Sequence, residues 1–99
     1  MTDNNKINSI TVFDEYRGED HYILTAEIKE NGDLLLEGQD LGPSVIEAFG
    51  DSDYEYWYTF KQEWKDTLLL HLLAEKFTVS NPPGEWFNEK GIPFELSTY

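Results

Sequence analysis

The chain has no cysteine, which excludes a disulfide framework and any zinc site built on thiolates. That absence fits a reducing cytosol. Cationic side chains are scarce too: Lys and Arg total 7 against 20 Asp and Glu, giving a net charge of −13. So few cations leave little to neutralise phosphate, which disfavours direct nucleic-acid binding and docking on an anionic membrane. Long apolar runs are also missing. The longest, Leu68 to Leu73, is interrupted by His71 and falls far short of a bilayer span. The start, Met1-Thr2-Asp3-Asn4-Asn5-Lys6, lacks the apolar stretch of a signal peptide. These absences lead us to expect a soluble, cytoplasmic protein with no membrane association. Nothing in them speaks to oligomeric state.

What is present is acid and aromatic. A chain of 99 residues suits one domain over 1–99, with 1–6 expected to fray. Its hydrophobic fraction of 39% and aromatic fraction of 15% argue for a packed chain, because disordered acidic segments are poor in such residues. Between Lys29 and Lys61 no cation occurs, while eight carboxylates do: Glu30, Asp33, Glu37, Asp40, Glu47, Asp51, Asp53 and Glu55. The last sits inside the run Tyr54-Glu55-Tyr56-Trp57-Tyr58. With no cation among them, these acids are expected to gather on one side of the fold. Such a field attracts basic partners and speeds their encounter at low salt.

Periodicity predicts an α+β fold. Ile10 and Val12 alternate with Ser9 and Thr11, a short strand ending at the polar segment 14–20. Tyr22, Leu24, Ala26 and Ile28 mark a clearer strand. The following Glu30-Asn31-Gly32 reads as a three-residue loop with Gly32 left-handed, since that pairs Lys29 with Asp33, Ile28 with Leu34 and Ala26 with Leu36. Ser44-x-x-Glu47 is a capping box for a short helix near 44–49, stopped by Gly50. Tyr54 to Phe60 alternates as a strand, with the three tyrosines on one face and Glu55, Trp57 and Thr59 on the other. A second capping box, Thr59 to Gln62, opens the main helix at about 60–77, with Trp64, Leu68, Leu69, Leu72, Leu73 and Phe77 as its buried stripe. A helical turn near 84–90 follows, and Ile92, Phe94 and Leu96 suggest a last strand, confined to an edge by Pro93. The expected architecture is an antiparallel sheet of four or five strands packed on one main helix.

The wording of several segments is distinctive: Leu36-Glu37-Gly38-Gln39-Asp40-Leu41-Gly42, Gly50-Asp51-Ser52-Asp53-Tyr54-Glu55-Tyr56-Trp57, and Gly91-Ile92-Pro93-Phe94-Glu95. Together with the Leu-rich helix, they resemble a family of small acidic bacterial proteins of uncharacterised activity. The resemblance covers about residues 34–96. It implies a bacterial origin and carries no activity to transfer.

Each candidate site has a plain structural reading beside it. Asp51, Asp53 and Glu55 have the alternate spacing of a calcium loop, but Tyr56 stands where such a loop needs glycine and Gln62 where it needs a closing acid. A turn entering a strand gives the same spacing, so no metal is expected. His21 and His71 lack the nucleophilic partners that catalysis would need and suit structural or solvent-facing roles. Acids this numerous make no single pair informative for glycosidase-like chemistry, and neither a catalytic residue nor a cofactor is expected. Trp57 is either core or an exposed anchor ringed by acids. The favoured function is an acidic, non-catalytic binding protein that engages a basic protein partner. Its concrete forms are an immunity or antitoxin-like inhibitor and a nucleic-acid mimic. Contact would centre on Trp57 with Asp51, Asp53 and Glu55 around it. The alternatives are a housekeeping or assembly domain whose acidity serves solubility alone, and a small enzyme.

Overall fold

Alternating apolar and polar residues build the sheet that dominates the first two thirds of the chain. The computed structural model describes residues 6–98, and the expected frayed start lies, apart from Lys6, outside them. Strands β1 (Ser9–Arg17), β2 (Asp20–Ile28), β3 (Leu34–Leu41) and β4 (Asp53–Phe60) form an antiparallel sheet in the order β1-β2-β3-β4. The register of β2 on β3 pairs Ile28 with Leu34 and Ala26 with Leu36, as expected from the sequence. At the turn between them Gly32 has φ 90°, a conformation that favours glycine over any L side chain. The Lys29 and Asp33 backbones close this loop at 2.7 Å.

Strand β1 is longer than its sequence suggests. Asp14 to Arg17 continues the ladder instead of turning, and the turn comes at Gly18. Side-chain pairing across the hairpin accounts for the extension: the His21 ring stacks on Tyr16 at 4.0 Å and meets Asp14 at 2.5 Å. A bulge lies between Thr11 and Phe13.

Directly opposed residues on neighbouring strands share a face, and the register sorts this sheet sharply. One face carries Phe60, Leu34 and Ile28, then Tyr58, Leu36, Ala26 and Ile10, then Tyr56, Leu24 and Phe13. Gly38 lies opposite Tyr56, and the tyrosine ring occupies the space a Cβ at Gly38 would fill. Helix α1 (Pro43–Phe49) packs on β2, β3 and β4, with Phe49 stacked on Tyr54 at 3.9 Å and Val45 buried. Its start differs from the expected capping box. Pro43 occupies the first turn and Ser44 makes no side-chain cap; the Ser44 N–H donates instead to Asp20 Oδ1 at 3.0 Å.

Helix α2 (Gln62–Lys76) opens in a similar way. The Gln62 N–H donates to Asp33 Oδ1 at 2.9 Å, and Lys61 Nζ lies 3.7 Å from the other oxygen of the same carboxylate. Asp33 also accepts from Asn31 Nδ2 at 3.2 Å. Asp20 and Asp33 are the buried charged residues among those described, and each meets a helix-initiating N–H from a distant segment. A carboxylate removed from water needs such donors, and helix starts offer unpaired ones.

Residues 8–65 form one compact unit and residues 6–7 with 66–98 another, the boundary falling inside α2. No residue of α2 is buried: Leu69 and Leu72 are each 53% exposed and Leu68 and Leu73 are half-buried, as is Phe77 just past its end. The expected buried stripe is therefore not a buried row, since Trp64, Leu69 and Leu72 among its members are exposed. In the second unit, helix α3 (Gly84–Glu89) brings Trp86 and Phe87 against Phe77, at 5.7 and 5.8 Å. Lys76 and Lys90 lie over the Trp86 ring at 5.7 and 5.9 Å. The expected final strand does not form. Pro93 cannot donate to a ladder, the Ile92 N–H turns back to the Phe87 carbonyl at 3.0 Å, and Phe94 packs on Phe87 at 5.6 Å.

Candidate interaction face

The second face of the sheet is built from the alternate residues and is acidic. Its rows, read from β4 to β1, are Thr59, Leu35, Glu27 and Ser9; then Trp57, Glu37, Thr25 and Thr11; then Glu55, Gln39, Ile23 and Asp14; then Asp53, Leu41, His21 and Tyr16. No Lys or Arg stands in these four rows. Glu27, Glu37, Glu55, Asp53 and Asp14 are all exposed.

Trp57 is 53% exposed on this face. Its indole Nε1 donates to Glu37 Oε2 at 2.8 Å across the β3–β4 pair. That bond uses one carboxylate oxygen to fix the ring, and a charged acceptor makes it stronger than a neutral one. The sheet backbone positions both partners, since residues 37 and 57 are directly opposed. One row away, Gln39 Nε2 donates to Asp53 Oδ1 at 3.1 Å. A ring anchored at its nitrogen and open over its surface has little freedom left to lose on binding, a property of good interface anchors.

Asp53, Glu55 and Trp57 are thus brought to one face by β4. Asp51 is not; it lies exposed in the bend between α1 and β4, outside the ladder. Glu37 is the member that sequence reasoning missed. It lies within the acidic block, but its pairing with Trp57 depends on the β3–β4 register, and an intervening helix separates those strands. The eight carboxylates also divide more than expected. Glu37, Asp53 and Glu55 share the Trp57 face, Asp40 lies on the opposite face beside Tyr54, Asp33 meets the start of α2, and Glu30, Glu47 and Asp51 sit in turns or on α1.

On the aromatic face, burial raises the Tyr56 pKa above the usual 10.0, with Asp40, Tyr58 and Tyr54 adding to the effect. His71 is exposed on α2, and His21 is held by Tyr16 and Asp14. A shallow depression at the β2–β3 turn is lined by Asn8, Glu27, Ile28, Lys29, Glu30 and Asn31, with Lys29 and Glu27 paired at 3.7 Å. No grouping of three metal-ligating side chains occurs among the described residues. Nor is any helix among them long and apolar enough to cross a membrane. No family model matches the chain, and neither the curated proteins nor the solved structures supply a significant match.

Proposed function

We propose that this chain is an acidic, non-catalytic binding protein that engages a basic protein partner through the Trp57 face of its sheet. The observation that carries the reading is one residue's setting: a half-exposed indole, locked to Glu37, in a face with Glu55 and Asp53 beside it and no cation in its rows. Acids steer a cationic partner inward, and the aromatic supplies a surface that releases water on contact. Inhibition of a cationic enzyme, in the manner of an immunity protein or antitoxin, is the form this would take in a bacterial cytoplasm. Imitation of the phosphate array of nucleic acid uses the same charges. Acidity serving solubility alone is the second reading, and the spread of Glu30, Asp40, Glu47 and Asp51 away from this face favours it.

The experiment is a pull-down from bacterial lysate at low salt, repeated at high salt and with Trp57→Ala. A basic protein retained at low salt, shed at high salt and lost with Trp57→Ala is the expected result. Identical captures by the native chain and a chain carrying Glu37→Gln, Asp53→Asn and Glu55→Gln would leave solubility as the better account.

A further inference from the structure

We infer that the partner enters as an extended cationic segment that adds a fifth strand at the edge of β4 that has no ladder partner. This deepens the proposed function and rests on it. The sheet has two edges, and they differ. Strand β1 is interrupted by a bulge between Thr11 and Phe13 and carries Arg17. Strand β4 runs from Asp53 to Phe60 in unbroken register with β3 and contains neither proline nor a cation. Beyond its ladder to β3, no described backbone group hydrogen-bonds to β4. Bulges, prolines and lysines are the common devices that keep an edge from pairing. One edge has the first of these; the other has none of the three, and its only protection is the charge of Asp53 and Glu55.

What β4 does carry is acid, and acid selects among incoming strands. A second copy of this chain brings another net charge of −13 to the same edge and is repelled, whereas a cationic strand is attracted. Side chains of an added strand alternate between the two faces. On one face they would meet Asp53, Glu55 and Trp57, and on the other Tyr54, Tyr56 and Tyr58. The fitting segment therefore alternates cationic with apolar residues. Main-chain hydrogen bonds supply affinity in this mode and the alternate side chains supply specificity.

The test uses the full chain and an eight-residue peptide of alternating lysine and valine, matched to the eight residues of β4. A second peptide has the same side chains on an N-methylated backbone, which keeps the charge and removes the donors. Affinity is measured by calorimetry and exchange of the β4 amides by NMR, both at low salt. The expected result is binding of the first peptide, with exchange of the β4 amides that face away from β3 slowed about tenfold or more and the methylated peptide bound at least about tenfold more weakly. Equal binding of both peptides without β4 protection overturns strand addition while leaving the basic-partner reading standing. Failure of both to bind overturns strand addition, while the basic-partner reading stands or falls on the salt-dependent capture with Trp57→Ala. Protection of β4 in the protein alone, growing with its concentration, makes a second copy the occupant and also overturns the inference.

Discussion

Trp57 anchors its ring nitrogen on Glu37 while leaving about half its surface in solvent, so truncating it separates affinity from stability. Against a captured partner, Trp57→Ala is expected to cost about 2 kcal/mol or more, mainly through faster dissociation. Neutralising Asp53 and Glu55 should slow association instead, with an effect that shrinks as salt is added. Stopped-flow or surface kinetics on the same partner would distinguish the two. A Trp57→Ala chain that no longer folds would show the ring and its bond to Glu37 to serve stability rather than binding. Gly38 and Tyr56 form the corresponding contact on the opposite face. Gly38→Ala puts a methyl group where the Tyr56 ring lies, so it should destabilise by about 1–3 kcal/mol in urea unfolding. Tyr56 also ties stability to alkaline pH. Burial, then Asp40 and the neighbouring tyrosines, raises its pKa in the folded chain. The unfolded chain therefore loses this proton first. The associated stability is complete below the ordinary tyrosine pKa and declines as pH rises through the folded value. Tyr56→Phe should flatten the alkaline decline, and an unchanged profile would assign it to other groups.

At the scale of elements, helix initiation depends on carboxylates from elsewhere in the chain. Asp33 accepts from the first N–H of α2 and lies beside Lys61, while Asp20 accepts from the first turn of α1. Asp33→Ala leaves the Gln62 N–H without its acceptor and removes the bond from Asn31 Nδ2, while the residue-33 N–H keeps its bond to Asn31 Oδ1, so a loss of about 1–3 kcal/mol is expected. Asp33→Asn, which keeps an acceptor oxygen, should recover part of it. Equal losses for the two variants in thermal unfolding would make charge, through Lys61, the larger contribution. These caps mark where sequence reading stops. Strand alternation and the Gly32 loop placed β2 and β3 in the observed register because both signals are local. The ends of α1 and α2 lay within a few residues of expectation, but their capping partners did not. Ser44 and Thr59 satisfied the capping-box spacing, whereas the acceptors that meet Ser44 and Gln62 come from Asp20 and Asp33, positions defined only once the sheet has formed. The pairing of Glu37 with Trp57 was hidden for the same reason. The final strand expected from Ile92, Phe94 and Leu96 was lost to a local aromatic contact, Phe94 on Phe87, that periodicity alone does not weigh.

For the whole molecule the governing quantity is a net charge of −13, and the question is whether its cost is spread or concentrated. Self-repulsion among like charges destabilises the folded state more than the expanded one, and added salt screens it. The melting temperature should therefore rise as sodium chloride increases from about 0.01 to 0.5 M, a range over which the Debye length falls from roughly 30 Å to a few ångströms. The sorted sheet predicts where the effect originates. Glu37, Asp53 and Glu55 lie in adjacent rows with no cation among them, whereas Asp33 faces Lys61 and Glu27 faces Lys29. A chain carrying Glu37→Gln, Asp53→Asn and Glu55→Gln should melt higher than the native chain at low salt and respond less to added salt. Neutralising Glu30, Glu47 and Asp51, which lie in turns and on α1, removes the same formal charge from scattered positions and should do less. Equal responses from the two triple variants would mean that repulsion is shared over the whole surface. In that case the Trp57 face holds no special field to steer a partner, and its acids act as the rest do, to keep the protein in solution.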